Sequence, residues 1–472
     1  MALPSPTRRS LLLAGAAGPF LAACRALPSV ASSPAAMRQQ QLHVAAPFEM
    51  PAIGVPDFSG VPTFDIVDYG ASEHETPKTS AALARAIAAA HAAGGGTVRV
   101  PPGNWPTGKI HLKSNVNLHL AKGATLLFSP DPADYLPAVP TSWEGLECYN
   151  YSPLVYAYDC DNIAISGQGT LQARLDTWKI WYARPKPHMD ALVALYNMAV
   201  ENVPLAGRDM TRGQANLRPH FIHFNRCRNV LVEDIHIVDS PFWTVHPYLC
   251  RDVVIRRADI RAHGHNNDGI DPEMSQNVLI EDVVFDQGDD AVSVKSGREF
   301  DAWRIGVPAR NIVMRNCRMK NGHQLMAIGS EISGGVENVF VDNCHFDHAD
   351  SNAKSTINNL LYVKTNERRG GFVRNIHMSN VSATRIAGGV LSVETDVLYQ
   401  WKTLVPTVER RLTPIEGLHV SRVRVGEAGF VCRIKGEAEL PVKDVTLIDV
   451  KVARVGGDAV STKNVTGFVN RM

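Results

Sequence analysis

The chain has 472 residues, of which 45% are hydrophobic and 20% charged, enough for a packed core and against a disordered chain. Its formal net charge is +1, so no global field draws it to nucleic acid or to a membrane surface. An acidic ligand would need a local basic site.

Residues 1–23 read as an export signal. Arg8 and Arg9 precede an apolar run, Leu11 to Ala23, too short to span a bilayer comfortably. The arginine pair points to the twin-arginine route, which carries folded proteins. Leu21-Ala22-Ala23-Cys24 resembles a bacterial lipoprotein cleavage box and makes Cys24 a candidate lipid anchor. The expected location is periplasmic, outer-membrane-anchored or extracellular. Residues 24–62, rich in Ala, Ser and Pro and without periodicity, read as a linker. Residues 63–472 read as one domain.

Ser80 to Ala93 is Ala-rich, with Leu83, Ile87 and Ala90 on one face. The pattern predicts a helix capped by Thr79 or Ser80 and stopped by Gly94-Gly95-Gly96. Thr97 to Val100 follows as an early strand.

Beyond it, short apolar-alternating segments recur, most of them opening with Asn or Asp. Asn162-Ile163-Ala164-Ile165, Asn229-Val230-Leu231-Val232, Asp252-Val253-Val254-Ile255 and Asn277-Val278-Leu279-Ile280 are examples. The series continues at Asn311, Asn338, Asn375 and Asp444, and the first intervals after Asn229 are 23, 25, 34 and 27 residues. Asn and Asp tolerate turn geometry. Coils of this length with two or three short strands predict an all-β fold, a parallel β-helix, with the Ala-rich helix plugging its N-terminal end. Propeller blades need roughly 40 residues each, which the shorter intervals do not supply. Longer intervals read as loops inserted at turns. Seven cysteines follow Cys24. They have no close CxxC pair and read as buried thiols stacked on neighbouring coils rather than as a metal site.

Two glycine-marked turns carry acids: Asn266-Asn267-Asp268-Gly269-Ile270-Asp271 and Gln287-Gly288-Asp289-Asp290. In a β-helix, residues one coil apart stand side by side, so Asp268, Asp289 and Asp290 are expected to share a face, with Asp271 on the same loop. Crowded carboxylates cannot all ionise freely, and at least one pKa should rise. Glycoside hydrolysis needs such a set: a protonated acid for the leaving oxygen and a carboxylate to activate water. A calcium site or turn-capping Asp residues are the structural alternatives. His323 and Lys364 follow at coil-like distances. The first can hydrogen-bond an acid, and the second can bind an anionic sugar.

The set Asn266-Asn267-Asp268, Gly288-Asp289-Asp290, Gly322-His323 and Tyr362-Val363-Lys364 resembles the four signature motifs of family 28 glycoside hydrolases, the polygalacturonase family. Gly167-Gln168-Gly169-Thr170, Leu217-Arg218-Pro219, Ser240-Pro241-Phe242-Trp243 and Ile328-Gly329-Ser330-Glu331 are similar to flanking runs of that family. The resemblance implies a single-stranded, right-handed parallel β-helix of the pectin-lyase-like class. It implies inverting hydrolysis of pectic polysaccharide or oligogalacturonide, by a monomer, without metal or cofactor. Asp289 would be the general acid, Asp268 and Asp290 would hold the water, and His323 would support the acid's protonation. Lys364 would meet a galacturonate carboxylate, with Asn266 and Tyr362 as further binding residues.

Three positions depart from the family pattern. Asn267 replaces Thr, Gln324 replaces the Gly after the histidine, and Tyr362 replaces Arg. The last removes a bidentate carboxylate ligand. Arg368 or Arg369 is a candidate substitute, and the change favours exo action or another pectic chain such as rhamnogalacturonan. His246, one coil before Asp268, and Lys295 are further binding candidates, as is Glu331. Trp178, Trp181 and Tyr182 lie in a non-repeating insertion, about Arg174 to Asn216, that either walls a cleft or packs on itself. Two other classes stay open: a pectate or pectin lyase on the same fold, and a non-catalytic β-helix.

Overall fold

The computed structural model describes residues 37–347 and 357–472. The segment read as an export signal and Cys24 lie outside the described residues. From Arg38 to Arg471 the described chain is built mainly of short strands that pair in parallel with the next coil. The crossovers wind right-handed, as parallel connections do. The molecule is a right-handed parallel β-helix, as the repeat and the resemblance predict.

The Asn and Asp residues that open the repeats have a specific role. Asn162, Asn229, Asp252, Asn277, Asn311, Asn338, Asn375 and Asp444 all have φ between 53° and 60°. Asn and Asp adopt this left-handed geometry more readily than other residues with side chains. Their side chains also form a ladder. Asn229 donates to Asn162 at 2.9 Å, Asn311 to Asn277 at 3.0 Å, and Asn338 to Asn311 at 2.8 Å. One residue type thus makes the corner and satisfies it from coil to coil. Inside, Val230, Val253, Val278, Ile312, Val339, Ile376, Leu418 and Val445 stack in register, each fully buried. Each such side chain contributes on the order of 1.5–3 kcal/mol.

The capping helix, α1, spans Thr76–Ala92 and starts earlier than expected. Its N-cap is Glu75, without a side-chain cap bond, and a proline sits in its first turn. Thr79 is buried inside the helix, where its hydroxyl donates to the Ser72 carbonyl. Ser80 accepts from the Gly108 amide instead of capping. Leu83, Ala86, Ile87 and Ala90 cover the end of the core. Gly94 and Gly95 have φ of 86° and 151°, which suits a glycine stop.

The stretch expected as a linker is structured from Arg38 onward. Arg38–Leu42 and Ile53–Asp57 pair antiparallel. Val44, Ile53 and Val55 bury against Ala164, Leu231, Val254, Leu279 and Val313, the outward apolar residues of five successive coils. Proline and the lack of alternation hid a strap whose apolar side chains match a coil surface rather than a core. The insertion folds as α2 (Asp176–Trp181) and α3 (Lys186–Val200). Between Asn277 and Asn311, the longer interval carries α4 (Glu299–Ile305). A last short helix, α5, spans Trp401–Leu404.

Candidate active site

One face of the helix runs through the strands Ile222–Asn225, Val245–Tyr248, Val292–Val294, Gln324–Gly329 and Asn359–Lys364. Between Val245–Tyr248 and Val292–Val294 the strand narrows to single bridges. Val245 pairs with Ile270 and Ile270 with Val292, while Tyr248 pairs with Glu273 and Glu273 with Lys295. The acidic turns lie at this seam. Because Ile270 aligns with Val292, Asp268 aligns with Asp290 rather than with Asp289. The Asp290 carbonyl accepts from the Gly269 amide at 2.9 Å. All three acids line a cleft of about 420 Å³, together with His323, Lys364, Tyr362, Asn266 and Lys295.

Each acid has a cation. His323 Nδ1 is 3.1 Å from Asp289, and Lys364 Nζ donates to Asp290 at 2.9 Å. Lys295 Nζ lies 4.0 Å from Asp268, 3.7 Å from Asp271 and 3.5 Å from Glu331. Burial pushes Asp268 well above the usual carboxylate range, helped by the charge of Asp289. Burial raises Asp271 likewise, with Asp268 adding to it. Asp290 is also raised by burial, which Lys364 partly offsets. Burial disfavours the charge of Asp289 too, but the His323 hydrogen bond and charge outweigh it and hold the carboxyl below its usual range. Reciprocally, that hydrogen bond raises His323 to about 9. Crowding therefore does raise carboxyl pKa values, but the free site keeps the proton of the Asp289–His323 pair on the imidazole.

The departures from the family pattern find local reasons. Buried Asn267 donates to the carbonyls of Ser240 and Phe242, which anchors the first acidic turn. Gln324 begins an extended strand, and its side-chain oxygen accepts from the amide and side chain of Asn359 on the next coil. Glycine is needed one step earlier, at Gly322, with φ of 147° and an added Cβ only 2.6 Å from the Asp289 carbonyl. Tyr362 lies in the cleft with its ring 5.7 Å from Lys364 Nζ.

Other expected residues sit elsewhere. Arg368 and Arg369 are buried and do not line the cleft. Arg369 pairs with Glu299 and Glu331, and Arg368 bonds Thr407 and the Trp401 carbonyl. His246 is fully buried behind the cleft floor, 2.8 Å from Glu273, so it is not a surface for sugar. Val245 on the same strand packs in the core, so His246 points outward and is buried there beneath the Val139–Asn150 hairpin, whose Ser142 shares the Glu273 carboxylate, which the one-coil spacing alone does not reveal. Trp178 and Trp181 are buried in the main core, and Tyr182 donates to the Ser240 carbonyl.

The cations the motifs did not disclose are Arg184 and Arg298, which line the cleft beside Lys295. Arg298 is 2.9 Å from Glu331 and 3.4 Å from Glu144, and Arg184 is 3.3 Å from Glu144. Glu331, also in the cleft, is held ionised by Lys295, Arg298 and Arg369 despite its burial. Asn266 accepts from buried Arg218 at 3.0 Å. Tyr399, Gln400 and Trp401 complete the lining. Trp401 packs 5.8 Å from Tyr196 of α3, in a second apolar cluster that lies outside the helix core.

Asp289, Asp290 and His323 offer ligand atoms within 4.8 Å of one another. Their partners argue against a calcium site, because Lys364 and a protonated His323 already supply the positive charge and calcium takes oxygen ligands.

The chain is similar to known proteins over much of its length. It is 28% identical over 297 residues to a probable polygalacturonase of Vitis vinifera, covering 61% of this chain and 53% of that protein. Identity to the exo-poly-alpha-D-galacturonosidase of Dickeya chrysanthemi is 26%, covering 59% and 49%. The chain spans about half the length of these curated relatives. Among solved structures, a hyperthermoactive exopolygalacturonase of Thermotoga maritima superposes with a TM-score of 0.79 at 36% identity, covering 89% of this chain and 94% of that one. The family model for glycosyl hydrolases family 28 matches residues 206–471, more than half of the sequence and all four motifs. The chain belongs to family 28 of the glycosyl hydrolases.

Proposed function

We propose that the protein hydrolyses α-1,4-galacturonosyl bonds of pectic chains with inversion, removing residues from a chain end. The observation that carries this reading is the convergence of Asp268, Asp289 and Asp290 in one cation-lined cleft. In this account Asp289, resupplied by the His323 proton, protonates the leaving oxygen. Asp268 and Asp290 hold the water that attacks the opposite face, and inversion needs roughly 6.5–9.5 Å between acid and base to admit it. A substrate carboxylate meets Lys364, with Arg298 and Arg184 supplying the charge that Tyr362 lacks.

Exo action is supported by the likeness to the exopolygalacturonase of Thermotoga maritima, and one wall of the cleft is rigidly built. There α3 and the turn bearing Tyr399 and Trp401 are joined by their own apolar cluster, and Arg298 stacks 4.1 Å over Trp401. The Arg8-Arg9 segment supports export of the folded protein, and Cys24 supports a lipid anchor.

A product profile on polygalacturonate, oligogalacturonides and rhamnogalacturonan tests the reading. Saturated monomer as the first product from galacturonan is expected. A ladder of oligomers refutes the exo part, preferential cutting of rhamnogalacturonan refutes the substrate, and ultraviolet-absorbing unsaturated products refute hydrolysis.

A further inference from the structure

Behind the cleft floor, three histidines share a pocket with no exposed surface. His223 and His246 occupy matching positions on adjacent coils, and His220 lies on the same coil as His223. Their ring centroids are 4.3, 4.7 and 5.1 Å apart, and one nitrogen from each lies within 4.8 Å of the others.

Hydrogen bonding fixes how the protons are placed. His246 Nε2 faces the Glu273 carboxyl group at 2.8 Å; with Glu273 ionised this nitrogen carries the proton and Nδ1 keeps a free lone pair. That Nδ1 lies 2.9 Å from His223 Nδ1, which must donate to it. His220 Nε2 faces the Ser142 carbonyl at 3.0 Å and so donates, which leaves Nδ1 as a lone pair. Among the described residues, His220 Nδ1 and His223 Nε2 are buried without a hydrogen-bond partner. Burial holds all three imidazoles well below their usual range, in the neutral form that ligates metals. Imidazole lone pairs of neighbouring coils therefore converge with no donor to match them all.

We propose that His220, His223 and His246 hold a single divalent transition-metal ion, zinc by preference, with Glu273 orienting His246 from outside. A carboxylate or a carbonyl on the far nitrogen of a histidine is the usual support of a metal ligand. Zinc–nitrogen bonds of about 2.0–2.1 Å place ligating nitrogens roughly 3.3 Å apart, so the His223–His246 contact opens by only a few tenths of an ångström as the ion replaces its hydrogen bond and the His223 proton moves from Nδ1 to Nε2. Three neutral nitrogens suit zinc far better than calcium or magnesium. The ion would pin two coils directly under Trp243, whose ring is 5.1 Å from His246 and 4.6 Å from Lys295 Nζ in the cleft. Its role is to fix that floor, and no step of the hydrolysis passes through it.

The test is the metal content of the full chain, produced with added zinc and purified without a metal-affinity tag. About one equivalent of zinc is expected, retained on dialysis against chelator and released on unfolding. The Asp268→Asn protein should keep it, and His223→Gln and His246→Gln should lose at least nine-tenths of it. Should the histidine variants not fold, protein produced with cobalt(II) decides, since ligation by these nitrogens gives visible ligand-field bands. Folded protein without bound metal, or with the same melting temperature whether produced with zinc or without it, overturns the proposal and leaves a hydrogen-bonded histidine stack.

Discussion

Lys364 Nζ meets the Asp290 carboxylate at 2.9 Å, and both groups are nearly shielded from solvent. The two residues are 74 positions apart in sequence and two coils apart in the fold. A buried ion pair is costly to break from one side, because the remaining charge loses its partner. In Lys364→Met, stability at pH 7 should fall by about 3 kcal/mol. The loss should shrink towards pH 4, where Asp290 takes up a proton. Chemical denaturation at the two pH values checks this, and an equal loss at both contradicts it.

His323 should give the active site an alkaline limit. Its pKa is raised to about 9 from the ordinary 6.5 by the hydrogen bond to Asp289. Stability from this contact is therefore complete below pH 6.5 and lost as pH rises through 9. The side chain is half exposed, so solvent screening keeps the change in melting temperature small. The pH profile of kcat/KM is the sharper readout. The wild-type alkaline limb should fall near pH 9 and be absent in His323→Gln, whose residual activity should be low throughout.

Asp268 is buried among like charges, and its removal should separate activity from stability. Asp268→Asn should lower turnover by about 10²–10⁴-fold. The melting temperature at pH 7 should hold or rise, since burial and Asp289 already disfavour the charge. Scanning calorimetry beside an activity assay distinguishes this from a collapse of the turn, which would lower both.

The N-terminal strap should contribute to stability without touching chemistry. Ile53 is fully buried against the outer face of the coils. Ile53→Ala should cost about 2–4 kcal/mol and leave kcat unchanged at a permissive temperature. An unchanged melting temperature would show that the strap does not support the helix.

The acidic turns, His323 and Lys364 were readable because a β-helix turns sequence spacing into spatial neighbourhood. The corner Asn residues announced both the coil and its register. Which acid stands beside which is not legible in the spacing: the bridge from Ile270 to Val292 sets Asp268 beside Asp290. Arg184, Arg298 and the Trp401 wall were not readable, because they stand on insertions outside the repeat, where spacing predicts nothing about position. The burial of His246 is not legible for the same reason: register gives the coil and alternation turns the side chain outward, but the hairpin that covers it stands outside the repeat. The strap at Ile53 was hidden by its prolines and by a partner surface made from the outward residues of five coils.

The most direct test of the central claim is the anomeric form of the first product, followed by proton NMR before mutarotation. Inversion at an α-linked galacturonosyl bond by Asp268, Asp289 and Asp290 predicts that the β-anomer appears first and the α-anomer only later. An α-anomer appearing first would mean a covalent intermediate and contradict the assigned roles of these three residues.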